Sequence, residues 1–366
     1  MANALATPQI IAREALLILK SNTVFKDLFH QDYSNEFVEV GDTVNVRKPA
    51  SFTGKEFTGN VSVQDATEAK VPVKLDRHVD VTVQLTSKES TLELKDFVKQ
   101  IVEPAILAIT EKIDQDCAAA AISFAKTINA KTANPTNLAD IAGLAKALDI
   151  SKAPMADRSL VFHPQHKYDY ALTDNLSKVS YAGDNQALRD AILGKVYSLN
   201  TYMDQNCIDT TATTAGTATN YKVVGSANSS TVALSSVSPA TGTVKAGDGF
   251  VFDGKIYRFT EDGTAASSAI AEIDIDKPLH KAIAATDEIK LINKPYSVAF
   301  QKNGIAFVSR PLSLPEGAAK AYVTNANGLN IRVVFGYNTN TKTDTISFDV
   351  LYGIAKLNEN LIVGLA

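Results

Sequence analysis

The sequence is short of nearly everything that would mark a disulfide scaffold, a membrane protein or a nucleic-acid clamp. Only two cysteines, Cys117 and Cys207, occur in 366 residues. They lie far apart with no C-x-x-C spacing, which excludes a disulfide framework, fits a reducing compartment and predicts two free thiols. No apolar run approaches the roughly 18 to 20 residues a membrane span requires. Nor does the N-terminus carry a basic stretch, an apolar signal core and a small-residue cleavage site, so assembly in the cytoplasm, away from membranes, is the expectation. Charge of one sign is missing too. The chain has 36 Lys and Arg against 40 Asp and Glu, a formal charge of -4, whereas a surface built chiefly to neutralise phosphates concentrates basic residues.

Catalytic motifs are equally scarce. No Walker loop, Gly-x-Ser-x-Gly elbow or framed Ser/His/Asp grouping is present; Gly194-Lys195 lacks its upstream glycine. Gly247-Asp-Gly249 lacks the third glycine and following helix of a dinucleotide loop and marks a turn. His163 and His166 form the only close histidine pair. Metal-binding helices place ligands at i and i+4, but Pro164 forbids a helix across this pair and no glutamate adjoins it. Glu272, Asp274 and Asp276 alternate with Ile273 and Ile275, the pattern of a strand with an acidic solvent face and an apolar core face. No catalytic, cofactor-binding or metal-ligating residue is therefore assigned. A metal-dependent hydrolase built on His163 and His166 is the enzymatic alternative.

What is present is an ordinary globular composition, 45% hydrophobic and 21% charged, in a chain long enough for two or three packed units. Thr7-Pro8 caps a helix running toward Ser21-Asn22. Thr43 to Arg47, Val71 to Leu75 and Val79 to Val83 alternate as strands. Between Pro49 and Lys70 there is almost nothing to bury, and Lys55, Glu56, Asp65, Glu68 and Lys70 stand among Gly, Ser and Thr. That predicts a long polar hairpin whose order must come from outside its own domain, because an isolated two-stranded ribbon is marginal in water.

The longest helical signal runs from Ser90 to Lys126, through Phe97, Ile101, Ala105, Ala108 or Ile109, Ile113 and Cys117, with a kink or start at Pro104. Residues 137–149 and Pro164 to Leu172 predict further helices around a buried strand, Ser159 to Phe162. Composition then changes. Thr210 to Asn220 is a small-residue linker, and short strands recur from Tyr221 to Ile292 between turns such as Asp253-Gly254, predicting a small antiparallel barrel or sandwich inserted into a mixed α+β body. Strands resume at Ser297–Phe300, Ile305–Ser309, Leu329–Phe335 and Ile346–Tyr352. No fixed internal repeat appears.

The order of five stretches resembles the tailed-bacteriophage major capsid proteins of the Hong Kong 97-type fold, in particular the coat-protein family of the phage P-22 type. The stretches are TPQIIAREALLIL, GDTVNVRKP, LDRHVDVTVQLTSKESTLELKDFVKQIVEPAILAITEKIDQD, SLVFHPQHKYDYA and NGLNIRVVFGYNTNTKTDTISFDVLYGIAKL. The resemblance implies an N-terminal arm and helix (1–40), an extended hairpin loop (41–86), a spine helix and peripheral domain (87–135), and a first part of the axial domain (136–205). An inserted β-barrel (206–294) and an axial and peripheral return (295–366) complete it.

It further implies an icosahedral virion shell of hexamers and pentamers around double-stranded DNA, a separate scaffolding protein, a portal at one vertex, no cofactor and no cleavage of this chain. The intersubunit contacts it points to are Arg47, Lys55, Glu56, Asp65, Glu68, Lys70 and Arg77. A non-viral nanocompartment of the same fold is the alternative within that architecture.

Overall fold

The structure, a computed structural model, describes residues 23–31, 43–48, 69–86, 102–129, 131–132, 135–178, 193–207, 217–218, 220–246, 248–253, 255–292, 296–315, 320–326, 329–338 and 343–366. The helix predicted after Thr7-Pro8 lies outside them. The chain is mixed α+β and divides into two compact units, residues 1–113 with 305–357 and residues 114–304 with 358–366.

Helices are α1 (Phe25–Leu28), α2 (Glu103–Phe124), α3 (Ala139–Ile150), α4 (Pro164–Ala171) and α5 (Asp174–Ser177). Strands begin with β1 (Thr43–Lys48), β2 (Ala69–Lys74), β3 (Arg77–Thr86), β4 (Thr127–Asn129), β5 (Arg158–Phe162), β6 (Lys195–Val196) and β7 (Leu199–Met203). Then come β8 (Asn220–Val224), β9 (Thr231–Ser238), β10 (Thr243–Val244), β11 (Gly249–Phe252), β12 (Lys255–Arg258), β13 (Gly263–Thr264), β14 (Ile270–Asp274) and β15 (Lys290–Ile292). The chain closes through β16 (Ser297–Gln301), β17 (Ile305–Arg310), β18 (Lys320–Ala326), β19 (Leu329–Asn338), β20 (Thr343–Lys356) and β21 (Ile362–Leu365).

The first unit is organised by β20. Its residues Thr343 to Tyr352 pair antiparallel with β3, from Thr86 back to Arg77. Residues Thr343 to Val350 pair with β19, and Leu351 to Lys356 pair with β17. Because Leu351 and Tyr352 pair with both β3 and β17, those two strands must lie on opposite edges. β19 and β17 therefore share one edge end to end, and Ser309 joins them: its Oγ donates to the Leu351 carbonyl at 3.0 Å and accepts from the Asn330 N–H at 3.1 Å.

In the second unit a six-stranded sheet runs β4-β21-β16-β5-β7-β6, with the β4–β21 and β5–β7 pairs parallel. Every residue of β5, β16 and β21 is buried, as expected of strands covered on both faces. Ile141, Leu144 and Leu148 of α3 pack into the cluster with Leu160, Phe162, Val363 and Leu365, each such side chain contributing about 1.5–3 kcal/mol on burial. Helix α2 starts at Glu103 with Pro104 in its first turn, where the missing N–H costs no ladder bond. It buries Ile109 while Ala108 stays exposed. Cys117 and Cys207 are both buried free thiols.

Residues 220–292 depart from one expectation. Their strands are antiparallel around a separate apolar cluster that includes Phe250, Tyr257, Phe259 and Ile273. No sheet among the described residues closes into a barrel; the sheets have orders β14-β9-β8, β12-β11-β15 and β10-β13. Register breaks at Ile270/Ile273 and Asn220/Lys222 interrupt the ladders, and only isolated bridges such as Phe259–Ile275 join one sheet to the next. Closure needs a continuous staggered ladder. β11 and β12 pair antiparallel from Gly249–Arg258 to Phe252–Lys255, a hairpin at the place predicted.

A β-carbon at Gly353 of β20 would stand 2.3 Å from the Lys74 carbonyl oxygen, where the end of β2 passes over the strand. Gly353→Ala is expected to destabilise the protein by about 1–3 kcal/mol, the usual penalty for overpacking against backbone. Denaturant unfolding measures it; an unchanged midpoint would show that β2 shifts freely.

Candidate assembly surface

The polar hairpin read from the sequence has a described base. β1 and β2 pair antiparallel from Thr43–Lys74 to Lys48–Ala69, which places Arg47 opposite Lys70 in the backbone register. The base is anchored by Val73 and Leu75, buried with Ala306 and Val308 and backed by Leu351, Ala355 and Leu357. Lys55, Glu56, Asp65 and Glu68 belong to the connection between the two strands and lie outside the described residues. Arg77 opens β3 and is half-buried opposite Tyr352. The structure thus brings Arg47 and Lys70 together and sets Arg77 in the neighbouring sheet.

A row of charge crosses that sheet. Arg332 on β19, Asp349 on β20 and Asp80 on β3 are directly opposed cross-strand partners, so their side chains share a face. Arg332 donates Nε and Nη2 to one oxygen of Asp349 at 2.9 and 2.6 Å, and Nη1 to the Ser313 carbonyl at 2.7 Å. Ser347 Oγ lies 2.6 Å from Asp80 Oδ1 and 3.2 Å from Asp349 Oδ1, between the two carboxyls. His78 Nε2 is 3.6 Å from Asp349. Burial pushes the Asp349 carboxyl above its ordinary range, and facing Asp80 adds to this against the pull of Arg332. Burial acts in the same sense on Asp80, but hydrogen bonds with Ser347, Asp349 and Thr82 outweigh it and hold that carboxyl below its ordinary range.

No family model matches the chain, and no curated protein does. Solved structures do. A protein of Mycobacterium phage Che8 superposes with a TM-score of 0.56 at 14% identity, covering 94% of this chain and 90% of that one. The capsid of cyanophage P-SCSP1u gives 0.50 at 15% identity, with 94% and 87% covered. The mature capsid of bacteriophage PhiM1 gives 0.50 at 9% identity, with 94% and 86% covered. The chain has the phage capsid fold.

Within that fold the histidine pair is architectural. His163 caps α4, its Nδ1 accepting the Gln165 N–H at 3.1 Å, while its own N–H donates to Ser297 Oγ at 3.1 Å. His166 Nδ1 lies 2.8 Å from the same Ser297 Oγ. Burial first, then Lys131 and His163, pushes the His166 pKa down to about 3, so the ring is a neutral hydrogen-bonding partner at neutral pH. Among the described residues no group of three or more His, Cys, Asp and Glu is arranged to hold a metal. Glu272, Asp274 and Asp276 are exposed and Ile273 and Ile275 buried, the alternation expected. The capsid-fold sheet contributes what sequence reasoning missed: Asp80, Arg332 and Asp349. The alternation around Asp80 signals an exposed strand face, but nothing local to it names a partner 269 positions downstream.

Asp80→Asn removes the charge opposite Asp349 and retains a hydrogen-bonding side chain. The Asp349 pKa is expected to fall toward the ordinary carboxylate range of about 3.9, readable by carboxyl carbon NMR. An unmoved value would assign its elevation to burial alone.

Proposed function

We propose that the chain is the major capsid protein of a tailed phage, a structural and non-enzymatic subunit that assembles with itself into the icosahedral shell around double-stranded DNA. The observation that carries this is the capsid fold, matched over 94% of the chain by capsids of two phages. The charge balance supports it from another side. A shell subunit holds DNA without clamping it, and a formal charge of -4 suits non-specific enclosure. None of the described helices is long and apolar enough to cross a membrane, consistent with a place in the virion.

In this reading residues 41–86 form the extended loop, with Arg47, Lys55, Glu56, Asp65, Glu68, Lys70 and Arg77 making contacts to neighbouring subunits. Ion pairs at a protein surface are individually worth about 0–1 kcal/mol. That weakness suits a shell, because each contact is repeated by symmetry while misplaced subunits can still leave. Residues 206–294 form an inserted domain, which we assign as a compact antiparallel unit between the two parts of the axial domain. A scaffolding protein during assembly and a portal at one vertex complete the partners.

Sedimentation velocity of the purified chain, alone and with its scaffolding partner, followed by negative-stain imaging, is expected to give megadalton hollow shells. Persistent monomers or dimers would overturn the proposal, and a single co-purifying enzyme in place of DNA would point to a nanocompartment. The quadruple variant Lys55→Ala, Glu56→Ala, Asp65→Ala, Glu68→Ala is expected to fold normally yet lose most shell formation; wild-type yield would remove the loop from the contacts.

A further inference from the structure

Three large apolar side chains stand exposed in one small region of the second unit. Ile150, Met155 and Tyr197 are 72%, 70% and 52% exposed. A single buried guanidinium ties their segments together. Arg158 Nη1 pairs with Asp149 at 2.8 Å and reaches Ser198 Oγ at 3.3 Å; Nη2 donates to the Ala153 carbonyl at 2.7 Å and Nε to the Pro154 carbonyl at 2.8 Å. Ile150 follows Asp149, Met155 follows Pro154 and Tyr197 precedes Ser198. Consecutive Cα atoms are about 3.8 Å apart, so all three apolar residues lie within a short reach of the same group.

The backbone adds a second observation. Val196 pairs with Leu199, leaving Tyr197-Ser198 as a two-residue turn with φ of 45° and 68°. Both residues are left-handed, the geometry for which Asn-Gly is favoured and an aromatic residue is not. Local conformation thus disfavours Tyr197, and its burial is too slight to compensate. Lys152 and Asp157, in the same tip, are left-handed as well, with φ of 57° and 54°. Strain retained at an exposed tip points to a role outside the fold of the monomer.

The surrounding charges say what kind of partner fits. Asp149, Lys152, Asp157 and Lys195 are exposed around the apolar residues, two acids and two bases. A phosphate backbone or an anionic membrane selects an excess of Lys and Arg. An apolar centre with a rim of both signs is the composition of a protein contact, and a rim balanced in sign can complement a second copy of itself.

We propose that this tip is a contact surface between copies of the chain, with Tyr197 its anchor and Ile150 and Met155 flanking it. Tyrosine is among the residues that concentrate binding energy at interface centres. The inference rests on the shell-building reading, which supplies the second copy.

Tyr197→Asn tests it, because asparagine tolerates the left-handed turn and Ser198 keeps its contact with Arg158. The variant is expected to unfold at the wild-type midpoint or above, while shell yield by sedimentation falls about tenfold or more, as for loss of an interface anchor. Tyr197→Phe keeps the ring and is expected to assemble within about twofold of wild type. The double variant Ile150→Ser, Met155→Ser, which leaves the turn untouched, is expected to reduce yield in the same way. Wild-type shell yield in Tyr197→Asn and in the double variant overturns the inference alone, as does a Tyr197→Asn protein that unfolds earlier than wild type. A wild-type chain that never forms shells overturns the reading beneath it.

Discussion

The double pairing of β20 is the constraint on which the first unit depends. One strand of 14 residues offers both edges, and segments far apart in sequence compete for neither. β3 takes one edge from Thr343 to Tyr352, while β19 and β17 divide the other. A slip of one residue would exchange the faces of every side chain in the ladder. The register is therefore held at several points, by the apolar alternation of β3, by Gly353 under β2, by Gln84 donating to Thr343 Oγ1 at 2.7 Å, and by Ser309 where β17 meets β19. Hairpin β1–β2 grows from this foundation. Its own ladder of six residue pairs is too small to stand alone, and burial of Val73 and Leu75 gives it a fixed root.

The row Arg332–Asp349–Asp80 shows the same sheet managing charge. Placing two carboxylates opposite one another on neighbouring strands is unfavourable. The arrangement persists because Arg332 donates two hydrogen bonds to Asp349 while the Ser347 hydroxyl lies 2.6 Å from Asp80, and because the two carboxyls are pushed apart in acidity. One is buried and raised, while the other is exposed, well hydrogen-bonded and lowered. Net stability from such a group is modest, since removing charge from water offsets most of the attraction. Its effect is on which register the strands adopt.

Much of this fold is legible in the sequence where a residue has a local reason for its place. Pro104 marks the start of α2 and Pro164 that of α4, because proline in a first helical turn loses nothing. The apolar run Leu160 to Phe162 is the central buried strand, and the hairpin expected next to Asp253 is the antiparallel pair β11–β12. What local pattern cannot carry is pairing at long range. The partnership of β3 with β20, the row of charge that follows from it, and the absence of a closed barrel among the described residues of 220–292 all depend on which strands meet. β18 escapes notice because Lys320-Ala-Tyr-Val-Thr-Asn-Ala has little alternation, and its residues Ala321 to Thr324 are only half-buried. Of the expected contact residues, the periodicity places Arg47 on a strand, whereas Lys70 and Arg77 lie just before the alternating runs Val71 to Leu75 and Val79 to Val83 and join β2 and β3 only in the structure. The roles of Ile150, Met155 and Tyr197 are invisible to it, since a turn that tolerates a poor residue looks in sequence like any linker.

Arg158 and Arg332 make a common point about how a shell subunit of this kind would be built. Each guanidinium joins segments that no continuous secondary structure joins. Arg158 holds the α3–β5 loop and the β6–β7 turn, and Arg332 holds the Ser313 carbonyl to the sheet. Burying or half-burying a guanidinium against carbonyls and a carboxylate adds little stability once desolvation is counted. The planar fork does fix directions, because its donors accept only one arrangement of partners. A monomer needing stability alone could fill these positions with apolar side chains. A subunit that must meet identical copies at repeated angles needs its projecting segments held in one geometry, and small errors at each contact would accumulate around a closed shell. Placement of exposed segments by buried or half-buried arginines meets that requirement, and in the second unit the buried Arg158 bonds to the segments that carry Ile150, Met155 and Tyr197.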